Sequence, residues 1–152
     1  MWTVTLAQVL WAAVASSQVN SWTKTTSGYW EEPYWSLGVL PDSTQMVEIT
    51  NAGWKAVAIG ASTIQTAAGS LTVRALDLCA SNDSATSLLL NYAGTAVPLH
   101  VLENLTIRGD AVLLNLYSRL EVDGNLEIQG GEGLFRSCEV DQDFGVTSVA
   151  GR

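Results

Sequence analysis

Leu99-His100-Val101-Leu102-Glu103-Asn104-Leu105-Thr106-Ile107-Arg108-Gly109 returns 21 residues later as Leu120-Glu121-Val122-Asp123-Gly124-Asn125-Leu126-Glu127-Ile128-Gln129-Gly130. Leu, Val, Asn, Leu, Ile and Gly recur in place. The positions that change are His100 to Glu121, Thr106 to Glu127 and Arg108 to Gln129, and they fall between the apolar ones or beside the glycine. This is period two nested inside a period of about 20 residues, which is how short strands stacked in a repeat architecture are written.

A Leu-x-Val strand sends Leu and Val to one face and the variable residue to the other. Asn104 and Asn125 fall at the break between the two short strands of each unit. Asn suits a corner there, because it tolerates left-handed backbone and bonds neighbouring backbone groups. Gly109 and Gly130 mark the next corner. One such unit cannot bury its apolar face alone, whereas stacked units build a continuous core. The fold expected is all-β, a right-handed parallel β-helix with one unit per coil. An antiparallel β-sandwich made of consecutive hairpins is the alternative, since hairpins also show period two.

Outward from the repeat, Leu71-Thr72-Val73-Arg74-Ala75-Leu76-Asp77-Leu78 is a looser copy with one residue fewer at its corner. It precedes Leu99 by 28 residues, and the polar residues 81–84 fit as an insertion. Ser87-Leu88-Leu89-Leu90 and Val112-Leu113-Leu114-Asn115-Leu116 read as further strands, though their alternation is less clean. Gln45-Met46-Val47-Glu48-Ile49-Thr50 and Lys55-Ala56-Val57-Ala58-Ile59 alternate as well, with a turn at Asn51-Ala52-Gly53.

The chain has 152 residues, room for one domain with a modest core. Its 15 acidic residues against 7 Lys and Arg give a net charge of -8. Scattered cations on an acidic chain exclude nucleic acid as a partner, because a phosphate backbone requires clustered Lys and Arg. Cys79 and Cys138 have no metal-binding spacing. They read as buried thiols, with a disulfide as the alternative in a secreted chain.

Residues 2–15 carry no charge, are too short to span a bilayer, and end on a small-x-small pattern at Ala13-Val14-Ala15. Residues 1–19 are therefore read as a signal peptide, although no Lys or Arg precedes the apolar run. Residues 20–60 form a first region with an aromatic block (Trp22, Tyr29, Trp30, Tyr34, Trp35, then Trp54), residues 61–131 hold the coils, and residues 132–152 are an irregular tail.

Trp22, Gly28, Trp30, Trp35, Ser36, Gly38, Pro41, Val47, Ile49 and Thr50 form a pattern of their own. It resembles the N-terminal segment that opens parallel β-helix regions in large secreted or surface proteins of bacteria, autotransporter-like adhesins included. The resemblance covers residues 21–131. It implies a structural cap, in which the large indoles of Trp22, Trp30 and Trp35 cover the open end of the first coil. In that family the coils run on for much longer.

Chemistry is sparse in the sequence. His100 is the sole histidine, and Glu121 replaces it in the next unit, so it reads as an outward strand residue. Glu121, Asp123 and Glu127 lie near Arg119 and read as a solvated face; the competing reading is an acid–base pair on a polysaccharide-degrading enzyme. Residues 141–145 hint at a calcium loop that lacks its later Glu. Asn82 and Asn104 stand in glycosylation-type triplets. No catalytic residue, metal site or cofactor is assigned. The function expected is that of a non-enzymatic extracellular or cell-surface adhesin-like segment, contacting a polysaccharide or other surface polymer and self-associating through an open coil edge. The alternative is a carbohydrate-binding module that uses the rings of Trp30, Tyr34, Trp35 and Trp54.

Overall fold

The computed structural model describes residues 18–81, 83–92, 94–129, 134–137 and 146–149. The apolar stretch of residues 2–15, Asn82, Gly130, Cys138 and residues 141–145 lie outside them. Strands numbered in chain order fall into three parallel sheets. The first holds β1 (Gln18–Ser21), β3 (Gln45–Ile49), β6 (Ala75–Ala80), β9 (Leu105–Gly109) and β12 (Leu126–Gln129) in that order. The second holds β2 (Gly28–Tyr29), β4 (Trp54–Gly60), β7 (Ala85–Asn91), β10 (Val112–Asn115) and β13 (Leu134–Ser137). The third holds β5 (Thr72–Val73), β8 (Gly94–Val101), β11 (Ser118–Val122) and β14 (Val146–Val149). One short helix, α1 (Ala61–Ala67), and a 3-10 turn, Ala68–Leu71, separate β4 from β5.

Each strand pairs with the strand one repeat away, and all the named pairs are parallel. Leu99 stands beside Leu120 and Leu105 beside Leu126, as the 21-residue repeat requires. Hairpins would set these neighbours antiparallel, so the sandwich alternative is overturned. The looser copy also falls into register. Val73 pairs with Val101, 28 residues on, and Leu76 with Leu105, 29 on, which is the missing corner residue. Ala80 then pairs with Gly109 (29 on), Ser87 with Val112 (25 on) and Leu99 with Leu120 (21 on). Residues 81–84 thus absorb half of the excess length. Of the other four residues, one is lost between Asn115 and Ser118, and a register shift between Ser118 and Leu120, opposite the start of β8, absorbs three.

Alternation sends one set of side chains inward in columns. In the first sheet Val47, Leu76, Leu105 and Leu126 stack, as do Ile49, Leu78, Ile107 and Ile128. Their first three members are buried, each burial stabilising by about 1.5–3 kcal/mol. The fourth members are not: Leu126 is half-buried and Ile128 is 53% exposed. The core therefore continues to the last described coil and is left uncovered there. Trp22, Trp30 and Trp35 are buried at the opposite end, beside β1 and β2. They meet edge to face, with ring centroids 5.2 Å apart for Trp22–Trp35 and 4.9 Å for Trp30–Trp35. The indole N–H of Trp30 donates to Ser70 Oγ and that of Trp35 to the Trp30 carbonyl.

The corners are held by polar contacts. Asn104 Oδ1 accepts from the Asn125 N–H at 3.0 Å, one coil on. Asp83 is the one non-glycine with positive φ among the described residues, so Asn104 acts through its side chain and not through left-handed backbone. Gly109 does adopt φ +60°, and a Cβ there would stand 2.1 Å from the Ala80 carbonyl of the coil below. Several polar groups interrupt the apolar interior, Asn20, Thr86 and Asn115 among them, and two of them are titratable side chains that burial perturbs. Lys55 points inward, bonds the Asn51 carbonyl and Thr86 Oγ1, and burial pushes its pKa down.

Tyr92 is 7% exposed and donates its hydroxyl to the Val97 carbonyl; burial pushes its phenol up to about 12. The folded chain keeps this proton where the unfolded chain, with an ordinary phenol near 10, releases it. Tyr92 therefore contributes stability that is fully present below about pH 10 and is lost as the pH rises toward about 12. Tyr92→Phe is expected to lose less stability than the parent between about pH 9 and about pH 11, measured as urea midpoints. Equal losses in both proteins would show that Tyr92 is not the titrating group.

Candidate functional site

With three sheets, the outward half of every strand is surface, and the three surfaces differ in chemistry. On the first sheet Asp77 and Arg108 are paired, with Arg108 Nε 3.0 Å from Asp77 Oδ1, and these bonds push the Arg108 pKa up. Arg74 Nε likewise meets Glu103 Oε1 at 2.8 Å. Between these pairs runs a groove of about 460 Å³ floored by Met46, Ala75 and Thr106. Its two carboxylates are each engaged by an arginine. On the third sheet His100 Nε2 lies 3.0 Å from Asp123 Oδ2, and Arg119 pairs with Glu121.

Glu121 and Asp123 thus face out from the third sheet, whereas Glu127 bonds Asn104 and Gln129 at the first. The structure divides this trio instead of gathering it. His100 faces out, as its exchange with Glu121 implies. Among the described residues no group of three or more His, Cys, Asp or Glu could hold a metal ion. No helix among them is long and apolar enough to cross a membrane. Cys79 is half-buried at the outward position beside Arg108.

The second sheet is different. Trp54, Ala56, Ala58 and Gly60 alternate outward from β4. Ala85, Ser87, Leu89 and Asn91 do so from β7, and Val112 and Leu114 from β10. Not one of these outward residues is charged, on a chain of net charge -8. Small side chains keep the middle of this face low, and two rings stand up from it. Trp54 is 74% exposed; Tyr29, in register with Ala58, is 55% exposed.

A cavity of about 300 Å³ opens beside Tyr29, lined by Ser27, Gly28, Tyr29, Glu32, Ala56 and Ala58. Its polar groups are held in place. Glu32 Oε2 accepts from Lys24 Nζ at 3.0 Å, and Lys24 lies 4.6 Å over the Tyr34 ring. Ser27 Oγ accepts from the Ala56 N–H at 3.0 Å, which leaves the serine's own hydrogen to donate. Gly28 makes the room, since a Cβ there would sit 2.6 Å from Glu32 Oε2.

The four ring residues expected to bind carbohydrate are therefore placed apart. Trp30 and Trp35 are buried, at 0% and 4% exposure, and turn no ring face outward. Tyr34 is 40% exposed, with Trp22 against its edge and Lys24 over its face. Trp54 alone of the four presents a ring to solvent on the second sheet, from a strand whose outward residues carry no charge. Tyr29 and Ser27 are absent from the sequence-based carbohydrate set, whereas Glu32 is one of the two carboxylates, with Glu31, that the sequence sets beside the aromatic block. The signal for Tyr29 was alternation: if Trp30 faces in, its neighbour faces out. Comparison of the chain with family models, with curated proteins and with solved structures gave no match in any of the three.

Proposed function

We propose that this chain forms part of a right-handed parallel β-helix whose role is structural, as an exported, adhesin-like segment that contacts a polymer surface without transforming it. The observation that carries this reading is the in-register stacking of three parallel sheets, which yields long outward faces of separate chemistry, one of them without a charged outward residue across β4, β7 and β10. The apolar residues 2–15 support export. Glu32 and Trp54 add a second reading, a carbohydrate-binding module, favoured by an exposed indole on β4, whose outward residues carry no charge.

The test is cosedimentation of the full chain with cellulose, chitin and denatured collagen, followed by assay of the supernatant for released sugar or peptide. Retention on at least one polymer, with that polymer recovered intact, is expected. Retention on none overturns the surface-contact role, and release of soluble fragments overturns the non-enzymatic one.

A further inference from the structure

The cavity at Tyr29 and the exposed ring of Trp54 lie on one sheet face, joined by a floor of alanines. Both rings flank β4: Tyr29 stands beside Ala58, and Trp54 comes four residues earlier on the same outward side. At about 3.3 Å per residue the two are about 13 Å apart along the strand. Ala56 and Ala58 lie between them and rise no higher than a methyl group. The strip is thus low in the middle and aromatic at both ends, with Ser27 beside Ala56 and Glu32 by Tyr29 as the polar groups of the cavity.

We propose that this strip binds one chain of a neutral, unbranched polysaccharide, with Tyr29 and Trp54 stacking on pyranose rings and with Glu32 and Ser27 taking the hydroxyls of the sugar at the cavity end. The proposal rests on reading the chain as a polymer-contacting segment and names the polymer. A pyranose has an apolar C–H face and a belt of hydroxyls. It therefore needs an aromatic plane beneath it and fixed donors and acceptors beside it. Glu32 supplies acceptors that the Lys24 contact holds in place, with Tyr34 positioning Lys24 in turn. Ser27 supplies the donor. Anionic glycans are disfavoured, because the strip offers a carboxylate and the chain as a whole is acidic. A lipid or an apolar peptide would leave Glu32 and Ser27 desolvated without partners.

The experiment is titration of the full chain with cellohexaose, chitohexaose and mannohexaose, followed by tryptophan fluorescence and calorimetry, with polygalacturonate as the anionic control. At least one neutral hexaose is expected to bind. Tyr29→Ala and Trp54→Ala are each expected to weaken it at least about tenfold. Glu32→Gln should weaken it several-fold. Both rings are exposed, so the two alanine variants should melt with the parent, and that is checked alongside. Binding of polygalacturonate alone, no binding of any neutral hexaose, or binding that neither ring substitution alters overturns the proposal. If the chain still cosediments with a polymer while the hexaoses fail, the surface-contact role stands and this strip does not.

Discussion

Leu105→Asp is expected to abolish cooperative folding, while Leu126→Asp leaves a folded protein destabilised by less than about 3 kcal/mol. The two residues occupy the same place in the 21-residue unit and are direct partners in the first sheet. Local propensity and neighbouring sequence are therefore closely matched, and burial is what differs. Leu105 is fully enclosed between Leu76 and Leu126, so its aspartate would lose water and gain no partner. Removing the leucine alone costs about 2–5 kcal/mol, and an unpaired buried carboxylate adds several more. That total is comparable with the whole stability of a domain of this size, about 5–15 kcal/mol. Leu126 is half-buried on the last described strand of its sheet, where a carboxylate still reaches solvent. Urea denaturation followed by circular dichroism separates the two. Equal effects would mean that the uncovered coil is covered in solution.

Trp30→Ala is expected to cost about 3–5 kcal/mol, the range for deleting a fully buried large aromatic. Trp30 is 0% exposed, packs edge to face on Trp35, and donates through Nε1 to Ser70 Oγ across 40 residues of sequence. Trp30→Phe keeps most of the ring contact and drops the hydrogen bond, so it should cost about 1–2 kcal/mol. Tyr34→Ala, at a 40% exposed ring, should cost less than either tryptophan change. If Trp30→Ala and Tyr34→Ala shift the urea midpoint alike, the buried tryptophans do not hold the first end together.

The 21-residue unit was legible because its inward residues are Leu, Val and Ile and its outward ones are charged or polar. Pattern and burial then say the same thing. β7 and β10 were harder to read. Leu88, Leu89 and Leu90 are consecutive, yet Leu89 faces out, because alternation turns the middle one outward onto a face of small and uncharged residues. The same property that blurred the alternation is what distinguishes the face. Lys55 misleads in the opposite sense, as a charged side chain at an inward position, and only its Thr86 and Asn51 bonds explain it. No pattern flagged α1: Ala61–Ala67 is too short for helical periodicity to stand out, and its capping by Thr63 onto Gly60 is visible only in space.

For the site, Trp54 was readable as a solitary ring beside a turn. Trp30 and Trp35 were not separable from it by residue type, because an aromatic at a sealed end and one on a surface are the same letter. Tyr29 and Glu32 come together through the tight turn after β2, where the Glu32 N–H bonds the Tyr29 carbonyl at 3.0 Å. Such a contact leaves no periodic trace.

The two ends of the stack differ, and this gives the molecule a direction in time as well as in space. Every strand after the first of its sheet pairs with a strand earlier in the chain. A coil therefore never waits for sequence still to come; its template is already there when it emerges. If coils add in the order of synthesis, the tryptophan-packed end is expected to act as a primer, each coil taking its hydrogen-bond register from the one before it, with the pairing resumed in β7 after residues 81–84. An error in one coil is then inherited by those above it and not by those below, so damage in such a chain is polar.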